Sequence, residues 1–435
     1  MPQLRFMMKT DGGTLTGRSD ISSFYKLAPE ERLKRVQEFA GLTDEECRLL
    51  SSGQALSLSQ ANRMIENVVG VFQMPFGIAT NFLINRRDYL IPMVIEEPSV
   101  VAAASHGAKM VRARGGFTAT STDPIMIGQI QVTDTTDPER AMSIVLSEKQ
   151  KLLARANEQD PVLVSLGGGA KDLEAKVIQT RVGRMVIVEL LVDCRDVAGM
   201  NAVDTMVEGI APAVEDLTGG RACLRIISNL ATRRLARARC VVAKEMVGGD
   251  DVVEGIVKAQ AFAESDIYRC TTHNKGIMNG IIAVVQATGN DHRAIEAGAH
   301  AYASRTGRYM PLTTWEKNNE GDLVGTIEIP MALGTVGGVT KSNPVFQIAL
   351  KILGVKSSRE LAEVVASVGL AQNLAALRAL ASEGIQKGHM KLHARNVAVS
   401  AGATGELIDT VAGKMIEDGK IREDYARDLI REFSK

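Results

Sequence analysis

The chain has 435 residues, 45% of them apolar, and its 51 lysine and arginine side chains balance its 51 aspartate and glutamate side chains. This length exceeds what one hydrophobic core usually supports, so two or three domains are expected. The charge balance provides no global field for nucleic acid or an anionic bilayer, and neither is predicted as a partner. Five cysteines without a CxxC pair are typical of reduced thiols in a cytoplasmic protein.

The amino-terminal quarter predicts helices followed by a strand-to-helix junction. Residues 24–52 are expected to form helices with polar faces, and residues 88–95 a strand. The sequence Glu96-Glu97-Pro98-Ser99 then leads into alanine-rich helical sequence over residues 100–110, with Pro98 suited to the helix start. This junction therefore presents Glu97. No run of about 18 apolar residues occurs, so no membrane span is predicted.

The middle of the chain predicts a compact insert of strands and helices. Strands are expected near residues 126–132, 182–194 and 221–227, with helices between them. Helical sequence then resumes, and Gly384 and Gly388 suggest a hinge before a charged, amphipathic tail. The predicted fold class is therefore α+β, with a large mainly helical domain over 1–122 and 229–384, a small α/β domain over 123–228 and a carboxy-terminal helical domain over 385–435.

The run Thr-Thr-His-Asn-Lys-Gly-Ile-Met-Asn-Gly at residues 271–280 is the most informative stretch of the chain. If a helix begins near Asn274, Lys275 and Asn279 lie one turn apart on the same face, where an ammonium and a carboxamide can address one substrate together. A single lysine is more often a solvated side chain beside a capped helix, so its surroundings must decide.

Three further polar islands accompany this run, at residues 96–99, 289–291 and 388–393. Together the four islands offer a carboxylic acid, an ammonium, a second carboxylate and an imidazole. A reaction that forms an oxyanion, moves a proton to it and expels a leaving group needs such a set. Each island also has an ordinary alternative, because Glu97 can close a strand, Asp291 can cap a helix and His389 can be a surface histidine.

In this order, the four islands resemble those of the class II, soluble bacterial and archaeal type of 3-hydroxy-3-methylglutaryl-coenzyme A (HMG-CoA) reductase. The resemblance extends nearly end to end, through Glu66-Asn67-Val68-Val69-Gly70, Ser165-Leu166-Gly167-Gly168-Gly169, Ser228-Asn229-Leu230, Leu312-Thr313-Thr314-Trp315-Glu316, Val336-Gly337-Gly338 and Gly369-Leu370-Ala371-Gln372-Asn373-Leu374. It implies a substrate domain with a central helix, an inserted ferredoxin-like, non-Rossmann cofactor domain and a mobile carboxy-terminal flap.

The resemblance also implies a reaction and a role for each side chain. HMG-CoA would take two successive hydrides through mevaldehyde, giving mevalonate and coenzyme A. Lys275 would stabilise the oxyanion, Glu97 would be the general acid, Asp291 would share their proton network and His389 would protonate the coenzyme A thiolate. The positions that match the family's substrate-binding residues are Ser99, Arg269, Asn279 and Gln372.

The nicotinamide site is expected outside the usual phosphate-binding loops. No Gly-x-Gly-x-x-Gly fingerprint follows a strand, and residues 167–172 lack the Walker A spacing. Residues 196–201 instead lie between an apolar strand and a helix whose first N–H groups can hold pyrophosphate, with Gly199 permitting close approach. The resemblance assigns Asp196, Gly199 and Asn201 to this site; an ordinary capped helix is the alternative.

Asp160 falls where the resemblance implies an acid that binds the adenosine ribose of NADH. A carboxylate there binds two hydroxyls and repels a 2′-phosphate, so NADH is favoured over NADPH, although Arg155 nearby can reverse the balance. The resemblance further implies a homodimer with shared active sites, with residues 66–70 as its dimer motif.

Other classes of protein and site remain open at this point. His389 and His393 are spaced as two metal ligands on one helix face, but a third ligand and the HExxH glutamate are lacking, so no metal is predicted. A different coenzyme A thioester enzyme, a lyase or acyltransferase, would need a metal-bound base or a reactive thiol, for which Cys270 beside Arg269 is the candidate. A catalytically silent binding protein would not need all four chemical islands.

Overall fold

The computed structural model describes residues 17–337, 343–382 and 384–433, without the side chains of residues 385–392. The strands are β1 Phe76–Ile84, β2 Arg87–Val94, β3 Phe117–Ser121, β4 Ile125–Thr133, β5 Gly169–Thr180, β6 Gly183–Asp193, β7 Arg221–Ile227, β8 Leu235–Val242, β9 Thr313–Lys317 and β10 Leu323–Pro330. A 3-10 turn, Phe24–Lys26, precedes the first α-helix.

The helices account for most of the remaining described chain, so the fold is mixed α+β, as predicted. They are α1 Pro29–Ala40, α2 Asp44–Ser52, α3 Leu58–Ala61, α4 Val100–Arg112, α5 Pro138–Ser147, α6 Lys149–Glu158, α7 Pro161–Ser165, α8 Met200–Thr218, α9 Lys244–Val247, α10 Asp250–Ser265, α11 Ile267–Ala287, α12 His292–Ala303, α13 Pro344–Leu353, α14 Ser358–Ala381, α15 Ile385–Ser400, α16 Leu407–Glu417 and α17 Glu423–Phe433.

A six-stranded sheet in the order β2-β1-β3-β8-β10-β9 forms the base of the larger part of the protein. Its pairs are antiparallel except β1 with β3. Helix α14 lies against β3, β8 and β10, and it also packs against α4 and α11. By length and composition α14 is able to cross a bilayer, but 72% of its most apolar window is buried inside the protein, where it forms part of the core.

A separate four-stranded antiparallel sheet in the order β5-β6-β4-β7 forms the smaller part. With its helices, the connectivity is the β-α-β-β-α-β arrangement of ferredoxin-like units. Its own core contains Ile130, Val188 and Val207. Strand β5 is absent from the sequence prediction because its register shifts between Ala170 and Asp172, and the extra residue breaks the two-residue alternation of apolar side chains.

Two predicted helix starts were wrong, and each has a local cause. Helix α4 begins at Val100 rather than at Pro98, because Ser99 takes the N-cap position with a left-handed φ of 73°. Helix α11 begins at Ile267 rather than near Asn274, because the Asp266 carboxylate accepts a hydrogen bond from the Arg269 amide at 2.7 Å. Lys275 therefore lies inside a long helix, where its backbone is fixed from both sides.

The last three helices, α15 to α17, share a small core of their own that includes Ala394, Met415 and Leu429. Gly384 precedes α15 with a left-handed φ of 80°. Such a φ suits glycine at a change of chain direction. A hinge at this point, and the motion of a flap, stay predictions.

Candidate active site

Two elements bring together a carboxylate, an ammonium and a carboxamide. Glu97 lies in the short link between β2 and α4, while Lys275 and Asn279 lie one turn apart on α11. Lys275 Nζ is 3.0 Å from Glu97 Oε2, and Asn279 Nδ2 is 3.5 Å from both carboxylate oxygens of Glu97. The predicted shared face of Lys275 and Asn279 therefore exists, and it is directed at an acid 178 residues away along the chain.

This cluster is open to solvent within one chain. The side chain of Lys275 is 60% exposed and that of Glu97 is 39% exposed. Ion pairs with this degree of exposure contribute little to stability. The pair is therefore not explained by folding, and its polar groups are accessible to a ligand.

Two further predicted substrate residues lie beside the cluster. Ser99 has a left-handed backbone conformation that is uncommon for a residue with a side chain, and such strain is concentrated at functional sites. Gln372 of α14 is buried, and its Oε1 has no hydrogen-bond partner among the described residues. Gly280 allows this approach, because an added Cβ there would lie 3.0 Å from the Cβ of Gln372.

A buried polar network, made of His273, Thr313, Trp315 and Asn373, lies behind the Lys275 turn of α11. His273 Nε2 is 2.7 Å from Thr313 Oγ1, and Asn373 Oδ1 accepts hydrogen bonds from Thr313 Oγ1 at 2.9 Å and Trp315 Nε1 at 2.7 Å. Burial, and then the charge of Arg269, lowers the pKa of His273 to about 4. A neutral imidazole thus joins α11 to β9 and α14.

The sequence analysis gave this network no role, although its residues stand within or beside the quoted motifs. The polar residues of β9 and α14 are separated by about 60 positions and carry no spacing signal that connects them. A buried asparagine next to Gln372 was the available clue, since buried polar groups are almost always hydrogen-bonded.

Asp291 is not joined to this cluster within the described part of one chain. Its Oδ1 caps α12 by accepting from the Arg293 and Ala294 amides, and its carboxylate pairs with the Arg293 side chain at 3.1 Å. Partial burial raises the pKa of Asp291, but the hydrogen bonds from Arg293 and Ala294 lower it more, so its pKa lies below the ordinary value. The expected bridge from Asp291 to Lys275 and Glu97 is not among its contacts.

Two other predicted site residues, Arg269 and His389, have no described contact with the cluster. Arg269 lies in the first turn of α11, six residues before Lys275, which puts their side chains about 120° apart around the helix. His389 falls on α15, and its side chain lies outside the described residues. The described residues contain no group of three or more His, Cys, Asp and Glu side chains placed to hold a metal ion.

The segment after β6 has the features of an anion site. Gly199 is the N-cap of the 19-residue helix α8 with φ 106°, no side chain caps that helix, and Asn201 is exposed in its first turn. Unpaired N–H groups at a long helix start bind phosphate well. These residues therefore fit a pyrophosphate. Gly199 is also required by packing, because an added Cβ would lie 2.5 Å from Cys194 Sγ.

Asp196 has a structural contact that the sequence analysis did not foresee. Its Oδ1 accepts from the Ser358 amide at 2.7 Å, at the beginning of α14. The Ser358 hydroxyl in turn donates to the Arg195 carbonyl at 2.8 Å. Asp196 thus links the end of the small sheet to the core helix of the larger part.

Asp160 lies close to the same segment. It caps α7 through Oδ1, which accepts from the Leu163 amide at 2.9 Å. The loop after α7 is held against the end of β6, because Arg195 Nη2 donates to the Gly167 carbonyl. Arg155, whose charge bears on cofactor choice, is exposed one turn before Gln159.

Cys270 does not have the environment of a nucleophile. It is fully buried, and burial raises its pKa to about 11 despite the opposing charges of Arg269 and Arg308. Reactive cysteines are instead partly exposed, with a lowered pKa. The lyase or acyltransferase alternative therefore lacks its candidate thiol.

Comparison with known proteins places this chain in one family. The model of the hydroxymethylglutaryl-coenzyme A reductase family matches residues 28–394. A 3-hydroxy-3-methylglutaryl-coenzyme A reductase of Archaeoglobus fulgidus is 61% identical over 412 residues, covering 95% of this chain and 94% of that protein. A probable reductase of Borreliella burgdorferi is 35% identical over 342 residues, covering 77% of each.

Solved structures agree with the sequence relatives. A 3-hydroxy-3-methylglutaryl-coenzyme A reductase from Streptococcus pneumoniae, 40% identical, matches 95% of this chain and 99% of that chain with a TM-score of 0.82. A class II reductase structure from the same organism, bound to NADPH in open conformations, is also 40% identical, with a TM-score of 0.80 over 94% of this chain and 100% of that chain. The chain therefore belongs to the hydroxymethylglutaryl-coenzyme A reductase family, and within it to class II.

Proposed function

We propose that this protein interconverts HMG-CoA and mevalonate plus coenzyme A, with the Glu97–Lys275 pair at the reacting carbonyl. The observation that carries the proposal is the 3.0 Å contact between Lys275 Nζ and Glu97 Oε2, with Asn279 beside it. Family membership supplies the reaction class, and the cluster supplies the groups that the reaction needs. NADH or NADPH, when bound, supplies the two hydrides.

Lys275 and Glu97 have complementary tasks at this carbonyl. The Lys275 ammonium stabilises the oxygen as it becomes negative, a contribution of about 10²- to 10³-fold for a single well-placed donor. Glu97 donates a proton to that oxygen. A carboxylic acid in general keeps its proton more readily once water is removed, so proton donation requires that this open cluster be closed.

A second subunit would remove that water and complete the set of groups. Asp291 pairs with Arg293 within its own chain, at a helix start that can face another copy. We propose that Asp291 of one chain lies beside the Glu97–Lys275 pair of the other, where the three groups would form one hydrogen-bonded proton network. The protein would then be a homodimer, or a dimer-based oligomer, with shared active sites.

The carboxy-terminal helices would act as a flap that brings His389 to the departing coenzyme A. An imidazole with an ordinary pKa of about 6.5 can protonate a thiolate near neutral pH. We expect His389→Gln to slow HMG-CoA reduction strongly while largely sparing the reduction of added mevaldehyde, because only the first reaction expels a thiolate. Equal losses in the two assays would contradict this role.

A large cavity beside helix α4 offers room for the coenzyme A moiety. The cavity has a volume of about 1790 Å³, and α4 lines it from Val101 onward, with the polar side chains Ser105, His106 and Lys109 among the lining residues. Burial lowers the pKa of His106, and the charges of Arg378 and Lys109 lower it further. Of these two cations Lys109 lines the cavity, and its ammonium suits a phosphate of coenzyme A.

The reaction itself is tested by following nicotinamide absorbance in both directions. With HMG-CoA and a reduced cofactor, the absorbance of the reduced nicotinamide should fall. With mevalonate, coenzyme A and an oxidised cofactor, the same absorbance should rise. A lyase or acyltransferase would cleave or transfer the thioester without a change in nicotinamide absorbance, and a silent binding protein would do neither. Catalysis without a redox change would overturn the proposal.

Cofactor choice is a finer part of the proposal. The Asp160 carboxylate favours NADH, because it would repel the 2′-phosphate of NADPH. We expect a higher kcat/KM with NADH, and a shift toward NADPH in Asp160→Asn. A strong preference of the unmodified protein for NADPH would overturn this assignment.

We further propose a cytoplasmic location, in keeping with the reduced state of all five cysteines.

A further inference from the structure

The proposed pyrophosphate turn, residues 196–199, is packed against a second segment, residues 331–337. The amides of Thr335 and Val336 donate to the Asp196 carbonyl at 2.9 and 3.3 Å. An added Cβ at Gly334 would lie 2.6 Å from the Ala198 nitrogen. The position of the turn therefore depends on where Gly334 and its neighbours are held.

Arg234 joins these two segments from the inside. It is only 4% exposed, and its Nη1 donates to the carbonyls of Val197 and Ala198 at 3.1 Å each. Its Nη2 donates to the Leu333 carbonyl. Because the two turn carbonyls face the guanidinium, the orientation of their peptide groups is fixed by Arg234.

Asn290 holds the same segment from the other side. Its Oδ1 accepts from the Gly334 amide at 2.7 Å, and its Nδ2 donates to the Gly334 carbonyl at 3.1 Å. The Nδ2 group also donates to Thr288 Oγ1 at 3.1 Å. Both hydrogen-bonding functions of the carboxamide thus serve Gly334, the residue packed against the Ala198 nitrogen, and Asp291 is the next residue along the chain.

We propose that Asn290 is a positioning residue that joins the Asp291 carboxylate to the cofactor turn through Gly334 and Arg234. This inference rests on the proposed pyrophosphate site. The path begins at Asp291 and its chain neighbour Asn290, which is hydrogen-bonded to Gly334. Leu333, the residue before Gly334, accepts a hydrogen bond from Arg234, and Arg234 donates to the carbonyls of residues 197 and 198. It spans the two sheets, so the distance between the proton-handling carboxylate and the cofactor is fixed by hydrogen bonds rather than by packing alone.

The test compares cofactor binding with substrate binding in Asn290→Ala. Loss of two hydrogen bonds is expected to raise the Kd for NADH, measured by nicotinamide fluorescence without substrate, by about tenfold. The KM for HMG-CoA should stay within about twofold, because the cofactor turn does not touch that substrate. Asn318→Ala is the matched control: Asn318 also accepts from two amides, at 3.0 and 2.9 Å, but in the β9–β10 hairpin.

A double-mutant cycle with Arg234→Lys tests the path itself. If Asn290 acts through Gly334 and Arg234, the effects of the two substitutions on the Kd for NADH should be less than multiplicative. Fully multiplicative effects, an unchanged Kd in Asn290→Ala, or equal changes in Kd and in the KM for HMG-CoA would each overturn the proposal.

Two further variants separate this proposal from the cofactor assignment. Asp160→Ala and Asn201→Ala remove groups that are proposed to touch the cofactor. If both raise the Kd for NADH while Asn290→Ala does not, the cofactor site stands and the positioning role is wrong. If none of the three changes the Kd, the cofactor assignment itself is wrong.

Discussion

His273 illustrates how a single buried side chain can support the active site without touching the substrate. His273 stands two residues before Lys275 on the same helix. It is 1% exposed, and its ring is hydrogen-bonded to Thr313. In the unfolded chain the imidazole has a pKa of about 6.5, whereas burial lowers its pKa to about 4 in the folded protein. The folded state therefore requires a neutral ring at a place where the unfolded chain can bind a proton.

This difference gives a pH dependence with a definite sign. The stability contributed by neutral His273 is complete above about pH 6.5 and is lost as the pH falls toward 4, by at most about 3 kcal/mol. We expect the free energy of unfolding of His273→Gln to fall less steeply over this range than that of the unmodified protein. Urea unfolding at several pH values measures both, and parallel curves would contradict the prediction.

At the scale of elements, close backbone contact between helices defines the walls of the site. Gly107 of α4 faces Ala371 of α14, and an added Cβ would lie 2.1 Å from the Ala371 carbonyl oxygen. Since α4 begins beside Glu97 and Ala371 precedes Gln372, this contact sets the distance between two sides of the substrate site. Only glycine allows it.

Gly107→Ala is therefore expected to destabilise the protein by about 2 kcal/mol or more, because a backbone atom rather than a flexible side chain must move. Gly276→Ala on α11 is the control, since nothing lies within 4 Å of its added Cβ. It should be neutral or stabilising by up to about 1 kcal/mol. Thermal unfolding measures both, and a Gly107→Ala protein as stable as the control would be inconsistent with the packing described.

Most elements could be predicted from apolar periodicity, and the exceptions have physical causes. Strand β4, at residues 125–133, agrees with the strand expected near residues 126–132, because its buried and less buried side chains alternate. Strand β5 was missed because of its bulge, and the start of α11 was expected near Asn274, which leaves Thr271 and Thr272 outside the helix. Their hydroxyls instead donate to carbonyls four residues back, which keeps them inside the helix.

At the scale of the whole molecule, an irregular segment carries exposed apolar side chains. Val69 is 99% exposed and Phe72 is 89% exposed, within or just after the motif at residues 66–70. Exposed apolar patches of this kind mark contacts between proteins. The segment therefore supports the proposed dimer.

Shared active sites can be tested by mixing two inactive variants, Lys275→Ala and Asp291→Asn, after dissociation and reassociation. If Lys275 and Asp291 come from different chains, half of the dimers are hybrids with one intact site of two, so about one quarter of the full activity returns. Each variant alone is the control. If both residues come from one chain, no activity returns.

The candidate site was predictable only in part. The residue types at 97, 275, 279 and 372 could be chosen from motifs, and the structure brings them together. Asp291 was expected in the same proton network, but within the described part of one chain it caps α12 and pairs with Arg293, which is the ordinary alternative for an acid at a helix start. The contacts of Asn290 and Arg234 could not be predicted, because most of their hydrogen bonds go to backbone groups, which any sequence provides.

The most direct test of the central claim is the activity of Lys275→Ala in two separate assays, HMG-CoA reduction and mevaldehyde reduction. Because both steps form an alkoxide at the same carbon, we expect losses of at least about 10²-fold in each. Lys258→Ala, on the exposed surface of α10, is the control and should leave both unchanged. Near-normal turnover of Lys275→Ala in either assay would contradict the account.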